Sequence, residues 1–427
     1  MRQIADLLRR EPHARWFFLT SAQSSIGTGA GYIALVLLAY ERFPSPWAIT
    51  LVLLAEFVPA MFFGPLFGAT ADRWSRRWCA VAGDVARALA FLALAAVGSF
   101  ELTVVFALLA GVGTGLFTPA ILAALPTLVD ERRVPAATSL YGAVADVGYT
   151  VGPALAAGFL IFSTPEMLVI ANGLTFGLSA IVLSLLPFGA RAPSADRSER
   201  PSLFRETTAG LRATAGMPAL RVIVLASSAV FLFAGILNVA ELLLAKEELG
   251  TDESGFAVLV AFTGIGVLAG TVLGAKGGEI RHLKDRYLVG LLVFGLGLVG
   301  SGLAPLYGIA LVTFLIAGLG NGLVLVYERL LIQRTVPDSL MGRVFGVRDA
   351  LGAWAFAIAF VAAGALLSVV GSRTLLVLAG LGALAVWGGS LFALRERDLD
   401  PRTPLAASDD DPARSTSESQ AVARQVG

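Results

Sequence analysis

Charge is scarce in this chain of 427 residues. Asp, Glu, Lys and Arg supply only 15% of it, against roughly 25% in soluble domains. Lysine is nearly missing: three of the 32 basic residues are Lys246, Lys276 and Lys284, and the rest are arginine. A single cysteine, Cys79, and two histidines, His13 and His282, exclude a disulfide framework and a Cys/His metal cluster by count. No GxxxxGK[ST] phosphate loop, HExxH helix or GxSxG elbow occurs, which argues against a nucleotide-driven pump and against the commoner hydrolases. A net charge of +1 gives no general attraction to nucleic acid.

What fills the chain instead is apolar: 56% of residues are hydrophobic and the mean hydropathy is +0.77. Runs near 20 residues match an apolar slab about 30 Å thick crossed at about 1.5 Å per residue. Twelve spans are expected, over about 16–40, 47–71, 79–99, 102–125, 137–163, 166–188, 220–244, 255–275, 286–304, 306–331, 344–369 and 373–394. The result is an all-α membrane protein built as two six-helix bundles, 1–188 and 220–394. A polar, basic linker over 189–219 separates them, and a tail over 395–427 is too poor in apolar residues to fold alone. The opening "MRQIADLLRREPHARWFF" reads as a charged turn leading into an uncleaved first span.

Orientation follows from the cations. Of the 32, 27 fall on the side shared by both termini and two, Arg87 and Arg329, lie within spans; only Arg42, Lys246 and Arg373 fall on the opposite side. The positive-inside rule then places both termini in the cytoplasm. The halves echo each other: "GATADRWSRR" from Gly68 is answered 206 residues later by "GAKGGEIRHL", and "TLVD" at Thr127 by "TVPD" 208 residues later. Because six spans return each half to its starting side, the repeats must be parallel, related by an axis along the membrane normal.

The stretch between the second and third spans concentrates charge on a tight turn. Gly68 permits close backbone approach, while Asp72 suits a helix N-terminus and Arg76 or Arg77 a helix C-terminus. Taken together, Gly68, Ala71, Asp72, Arg73, Arg76 and Arg77 resemble the signature loop of the major facilitator superfamily, with Ser75 and Thr70 in place of the usual glycine and leucine. The resemblance implies the major facilitator fold and a cytoplasmic gate in which Asp72, Arg73 and Arg77 bridge helix ends. In the second half Gly278 stands where the acid would be and Glu279 follows it, so that latch is degraded. Further stretches, "PTLVDERRVPAATSL" and "VPDSLMGRVFG" among them, resemble the branch holding enterobactin-type siderophore exporters and macrolide efflux proteins. That branch implies export by proton antiport without fixing the cargo.

The fifth span contains "DVGYTVGPALAAG", whose Gly148, Gly152, Pro153 and Gly158 resemble the antiporter motif of drug exporters. Read without the family, small residues let helices approach closely and a proline bends them. Acids inside the slab are costly and are functional candidates by default. Glu56 and Asp146 fall near the midplane of their spans, and with no histidine in the slab a proton carrier has to be a carboxylate. Glu241, beside Asn238, is a candidate for the cavity mouth. Asp84 and Arg87, three apart, share a helix face as an ion pair. Glu328, Arg329, Arg348 and Asp349 read as gate or topology residues near inner helix ends, where long side chains snorkel. Gln23, Ser24, Ser25, Asn172 and Asn321 are candidates to line a polar cavity, and Phe57, Phe62, Phe63 and Trp354 suit an apolar cargo or simple packing.

These features predict a secondary transporter exporting a small amphiphilic molecule in exchange for protons. It would be a multi-pass protein of a bacterial plasma membrane with no cofactor, no nucleic acid and no obligate protein partner. Uptake or uniport on the same scaffold is the alternative, and a non-transporting sensor docking partners through the linker and tail is the reading from another class.

Overall fold

In the computed structural model, residues 7–73, 75–188, 203–275 and 279–395 are described, and all their regular structure is helical. The helices are α1 (Pro12–Arg42), α2 (Pro46–Arg73), α3 (Arg76–Ala96), α4 (Phe100–Ala124), α5 (Val134–Leu160), α6 (Pro165–Leu185), α7 (Leu203–Gly216), α8 (Pro218–Leu243), α9 (Glu253–Gly274), α10 (Ile280–Leu303), α11 (Tyr307–Thr335) and α12 (Asp338–Arg395). Starts are written locally. Proline opens α1, α2, α6 and α8, where its missing N–H costs nothing. Ser99 caps α4 by accepting from Leu102 N, and Asp252 caps α9 by accepting from Gly255 N at 2.8 Å. That N–H holds the Asp252 carboxyl below its usual range.

Among the described residues, ten helices are long and apolar enough to cross a membrane. The last of them, α12, is interrupted at Gly371, whose φ of 74° and ψ of 167° are non-helical, so that two helices meet there. The bend falls between the last two spans expected from sequence and is a left-handed conformation suited to glycine. In α2, of 28 residues, the described apolar stretch is Pro46–Phe62.

Helix pairing follows the same order in the first six helices and in the later ones. In the first set α1 packs on α5 and α6, α2 on α4, and α3 on α4 and α6. In the second, α8 packs on α12, α9 on α11, and α10 on α11 and α12. Across the two sets α5 meets α9 and α2 meets α12, again corresponding positions.

Glycine sets the closest approaches. A Cβ at Gly152 would lie 2.6 Å from Ile26 O, one at Gly29 2.7 Å from Gly148 O, and Gly83 and Gly113 face each other's carbonyls at 2.7 Å. Without a hydrophobic force between helices in lipid, such backbone contact carries the packing.

The polar stretch read as a linker is helical from Leu203. Its residues Ala213 and Thr214 are buried, and a Cβ at Gly210 would lie 2.6 Å from Arg343 O of α12. Ala213 joins Leu220, Val224, Ile332, Val336 and Val344 in one apolar cluster. Periodic apolar positions in a mostly polar segment account for the helix. Residues 396–427, expected as a tail, lie outside the described ones.

The three cations expected opposite the termini all have structural roles there. Arg42 donates to the last carbonyls of α3, at Leu94 (2.8 Å), Ala95 (3.1 Å) and Val97, and lies 3.6 Å from Glu166. Arg373 donates to Ala304 O at 2.5 Å beyond the end of α10 and to Glu248 at 3.1 Å. Lys246 pairs with Glu253. Positive charge at a helix C-terminus complements its dipole.

Replacing Gly152 by Leu should lower the yield of monodisperse detergent-extracted protein, since overpacking costs about 1–3 kcal/mol. Gly158→Leu, at a position with nothing within 4 Å, should leave that yield unchanged. Size-exclusion profiles of the two variants check the contrast.

Candidate functional site

The site is built where α1, α2, α8 and α12 meet. Tyr32 lies about 15 Å along α1 from its Arg42 end, and Glu56 about 15 Å along α2 from Pro46, so both sit at similar depth below the end opposite the termini. The Tyr32 hydroxyl crosses to α8, within 3.0 Å of Asn238 O and 3.2 Å of Glu241 Oε1. Its one proton serves one of these at a time. Glu56 is close enough to Tyr32 and to Tyr149 to act on both through charge. Its Oε2 is buried and has no hydrogen-bond partner. Beside it Phe57 meets Phe356 and Phe360 of α12 with ring centroids 6.0 and 5.9 Å apart, and those two rings stand 4.7 Å from each other.

Among the described residues, hydrogen bonds joining the first six helices to the later ones gather toward that same end. Besides Tyr32, Tyr40 OH lies 3.3 Å from Glu247 Oε1, Thr50 Oγ1 3.4 Å from Phe360 O, and Thr150 Oγ1 3.4 Å from Gly264 O. Nearer the termini the geometry differs. Asp146 on α5 and Arg329 on α11 are both exposed and interact through charge across the two sets of helices.

The remaining acids inside the bundle are paired. Asp84 is fully buried and forms an ion pair with Arg87, whose guanidinium also lies over Phe117 and Phe176, 4.1 and 4.3 Å from the ring centres. Glu328, also fully buried, takes two bonds from Arg348, at 3.0 Å from Nε and 2.7 Å from Nη2. Arg348 also donates to Asp349 at 2.8 Å and lies over Phe231. Snorkelling at a helix end is therefore the wrong account of Glu328 and Arg348. They form a bidentate pair inside the bundle, twenty residues apart in sequence and on different helices.

Of the gate motif, Gly68, Asp72 and Arg73 lie within α2 but their side chains are outside the described ones, as are residues 276–278 of the second-half echo. Arg76 donates to Ala123 O at 3.1 Å, at the end of α4, and Arg77 lies over the ring of Trp78. In the fifth-span motif Gly148 meets Ser25 and Ile26, Gly152 meets Ile26 and Ala30, and Pro153 packs beside Gly29, all on α1. Gly158 faces open space. The motif therefore fastens α5 to α1 within the first set, while Thr150 between its glycines faces α9. Asn172 is buried against Gly27 and Gly31 of α1 and works as a packing wedge. Sequence reasoning missed Tyr32, because a tyrosine in an apolar run carries no mark of a polar partner.

Comparison with known proteins places this geometry in context. Residues 17–359 match the family model described as Major Facilitator Superfamily. Macrolide efflux protein A of Streptococcus pyogenes is 24% identical over 397 residues, covering 88% of this chain and 95% of that protein. Multidrug efflux pump Tap of Mycolicibacterium fortuitum is 28% identical over 400 residues, covering 88% and 94%. The crystal structure of nucleoside transporter NupG shares the fold, with a TM-score of 0.70, 11% identity and coverage of 90% of this chain and all of that one.

Glu328→Ala leaves the buried Arg348 guanidinium with only the solvent-facing Asp349 and should destabilise the protein by about 3–5 kcal/mol. Asp349→Ala, which removes only the solvent-facing partner, should cost about 1 kcal/mol or less. Thermal unfolding in detergent separates the two.

Proposed function

The chain belongs to the Major Facilitator Superfamily, and from that footing we propose that it is a proton-coupled exporter of a small amphiphilic molecule. It is a multi-pass membrane transporter, not an enzyme. In our reading twelve spans, with α12 divided at Gly371, form two bundles over 1–188 and 220–394. Both termini are cytoplasmic, the membrane is the bacterial plasma membrane, and no protein partner is required. The bundles rock about a site between them, in the manner of alternating access.

The observation that carries this reading is Glu56, an acid inside the bundle whose buried oxygen has no partner, placed where the two sets of helices meet. An uncompensated carboxylate in a low-dielectric setting is costly, so it takes up a proton or a cation. Alternate exposure to the two sides turns that exchange into coupling. The efflux names of the relatives support the direction of transport. With cytoplasmic termini, the hydrogen bonds of Tyr32, Tyr40 and Thr50 close the outer side, and the exposed Asp146 and Arg329 face the inner opening. The gate motif from Gly68 to Arg77 and the Asp84–Arg87 pair then serve the conformational change rather than the cargo.

Cells expressing the protein should extrude at least one member of a panel of lipophilic cations, macrolides and siderophores, and a protonophore should abolish the extrusion. Extrusion that ignores the protonophore overturns the coupling, and accumulation instead of loss favours uptake. Glu56→Gln should reduce proton-driven efflux about tenfold or more while leaving cargo exchange across vesicles. Asp146→Asn should slow efflux yet leave it sensitive to the proton gradient.

A further inference from the structure

Arginines inside the bundle divide by what they touch. Arg87 contacts Asp84 and Arg348 contacts Glu328. Arg329 makes no ion pair with any described acid, and Asp146 makes none with any described cation. Neighbouring positions on a helix point about 100° apart, so Glu328 turns into the second set of helices while Arg329 turns out of it. Asp146 and Arg329 are both exposed, and Arg329 acts on Asp146 through charge across the seam between the two sets. Their exposure is therefore to the inner opening.

Asp146 stands where contact between the sets stops. One turn toward the outer side, Thr150 Oγ1 lies 3.4 Å from Gly264 O of α9 and 3.2 Å from Asp146 O, and a Cβ at Gly264 would lie 3.2 Å from Thr150 Cα. One turn toward the termini, a Cβ at Gly142 would have nothing within 4 Å. Depth matters too. Asp146 lies about 18 Å along α5 from Val134 and Arg329 about 9 Å along α11 from Thr335. A Cα–Cβ bond tilts toward the N-terminus of its helix. Because α5 starts at the inner end and α11 finishes there, Asp146 tilts inward and Arg329 tilts toward the midplane, so the two side chains converge.

We infer that Asp146 and Arg329 are the two parts of an inner latch: when the inner side closes, carboxylate and guanidinium meet as an ion pair that holds it shut. The inference goes beyond the export reading and rests only on its rocking of the two bundles, whichever way the cargo moves. In the arrangement described here both groups are open to water. Closure about the Thr150–Gly264 contact expels that water, and an ionised group left alone in an apolar slab is then costly. The other arginines inside the bundle are already engaged, Arg348 with Glu328 and Asp349 and Arg87 with Asp84. Each of the two charges is therefore the other's counter-ion in the closed arrangement, and a guanidinium fork matches a carboxylate well. The outer closure is made by hydroxyl donors; the inner one is made by charge.

Two nitroxides report the inner opening. Cys79, the one native thiol, is buried. Labels go instead to Ser139→Cys and Gln333→Cys, exposed positions on the faces of Asp146 and Arg329, two turns and one turn nearer the inner ends. Dipolar distances are measured on the full-length protein in lipid nanodiscs at acid and alkaline pH. Wild type should show a long and a short distance. Asp146→Arg and Arg329→Asp should each lower the ratio of short to long about tenfold or more, and combining them should restore most of it. The exposed Glu131→Gln, just before α5, should leave the ratio unchanged. If a reversal variant does not yield monodisperse protein, Asp146→Asn and Arg329→Gln decide: each should lower the ratio, and both together no further than one alone. Ratios unchanged in the single variants, or losses that add in the double variant, overturn the latch and leave the rocking intact. A single distance in wild type at every pH sinks the rocking itself, and the latch with it.

Discussion

An ionised group inside an apolar slab must be compensated from within the protein, because the surroundings offer neither water nor counter-ions. This constraint organises the structure more than any single contact does. Asp84 and Glu328 meet it with guanidinium groups that are themselves stacked on rings, so that each pair is compensated and packed at once. Arg42, Arg373 and Lys246 meet it at the opposite end by spending their charge on helix termini and on single acids. Against that regularity, Glu56 and Glu241 are exceptions, with no cation paired to either among the described residues.

Packing obeys a second rule imposed by the same medium. Lipid tails are as apolar as leucine, so helices gain little by hiding side chains from them, and association falls to close backbone contact. The pairs Gly29 with Gly148, Gly152 with Ile26, and Gly83 with Gly113 are where that contact is made. Gly148, Gly152 and Pro153 of the fifth-span motif belong to this framework, holding α5 against α1. The face of α5 turned toward the later helices is carried by Thr150 and Asp146, residues between and before the glycines.

The fold was largely legible in the sequence because each span is a run of apolar residues bounded by proline, glycine or charge, and those signals are local. The Asp84–Arg87 pair was legible for the same reason, being one helical turn apart. Glu328 and Arg348 were not, since two residues twenty apart on separate helices share no periodicity that a reader of the chain can see. Glu56 and Glu241 stood out as interruptions in apolar runs, yet nothing in the chain said that both lack a cation. Tyr32 was invisible: its role depends on a partner 209 positions away. The α7 helix was hidden by its composition, because a segment rich in polar residues resembles a linker until its few apolar positions are seen to touch α12.

The closure opposite the termini is made from hydroxyl groups. Each of Tyr32, Tyr40 and Thr50 contributes one hydrogen bond between the helix sets, and each such bond is worth about 1 kcal/mol net. Together with the Phe57 contacts, they approach the roughly 5.5 kcal/mol that separates a 99:1 population from its inverse. An interface zipped by hydroxyls can be tipped by a single small molecule whose affinity differs about ten-thousandfold between the two arrangements.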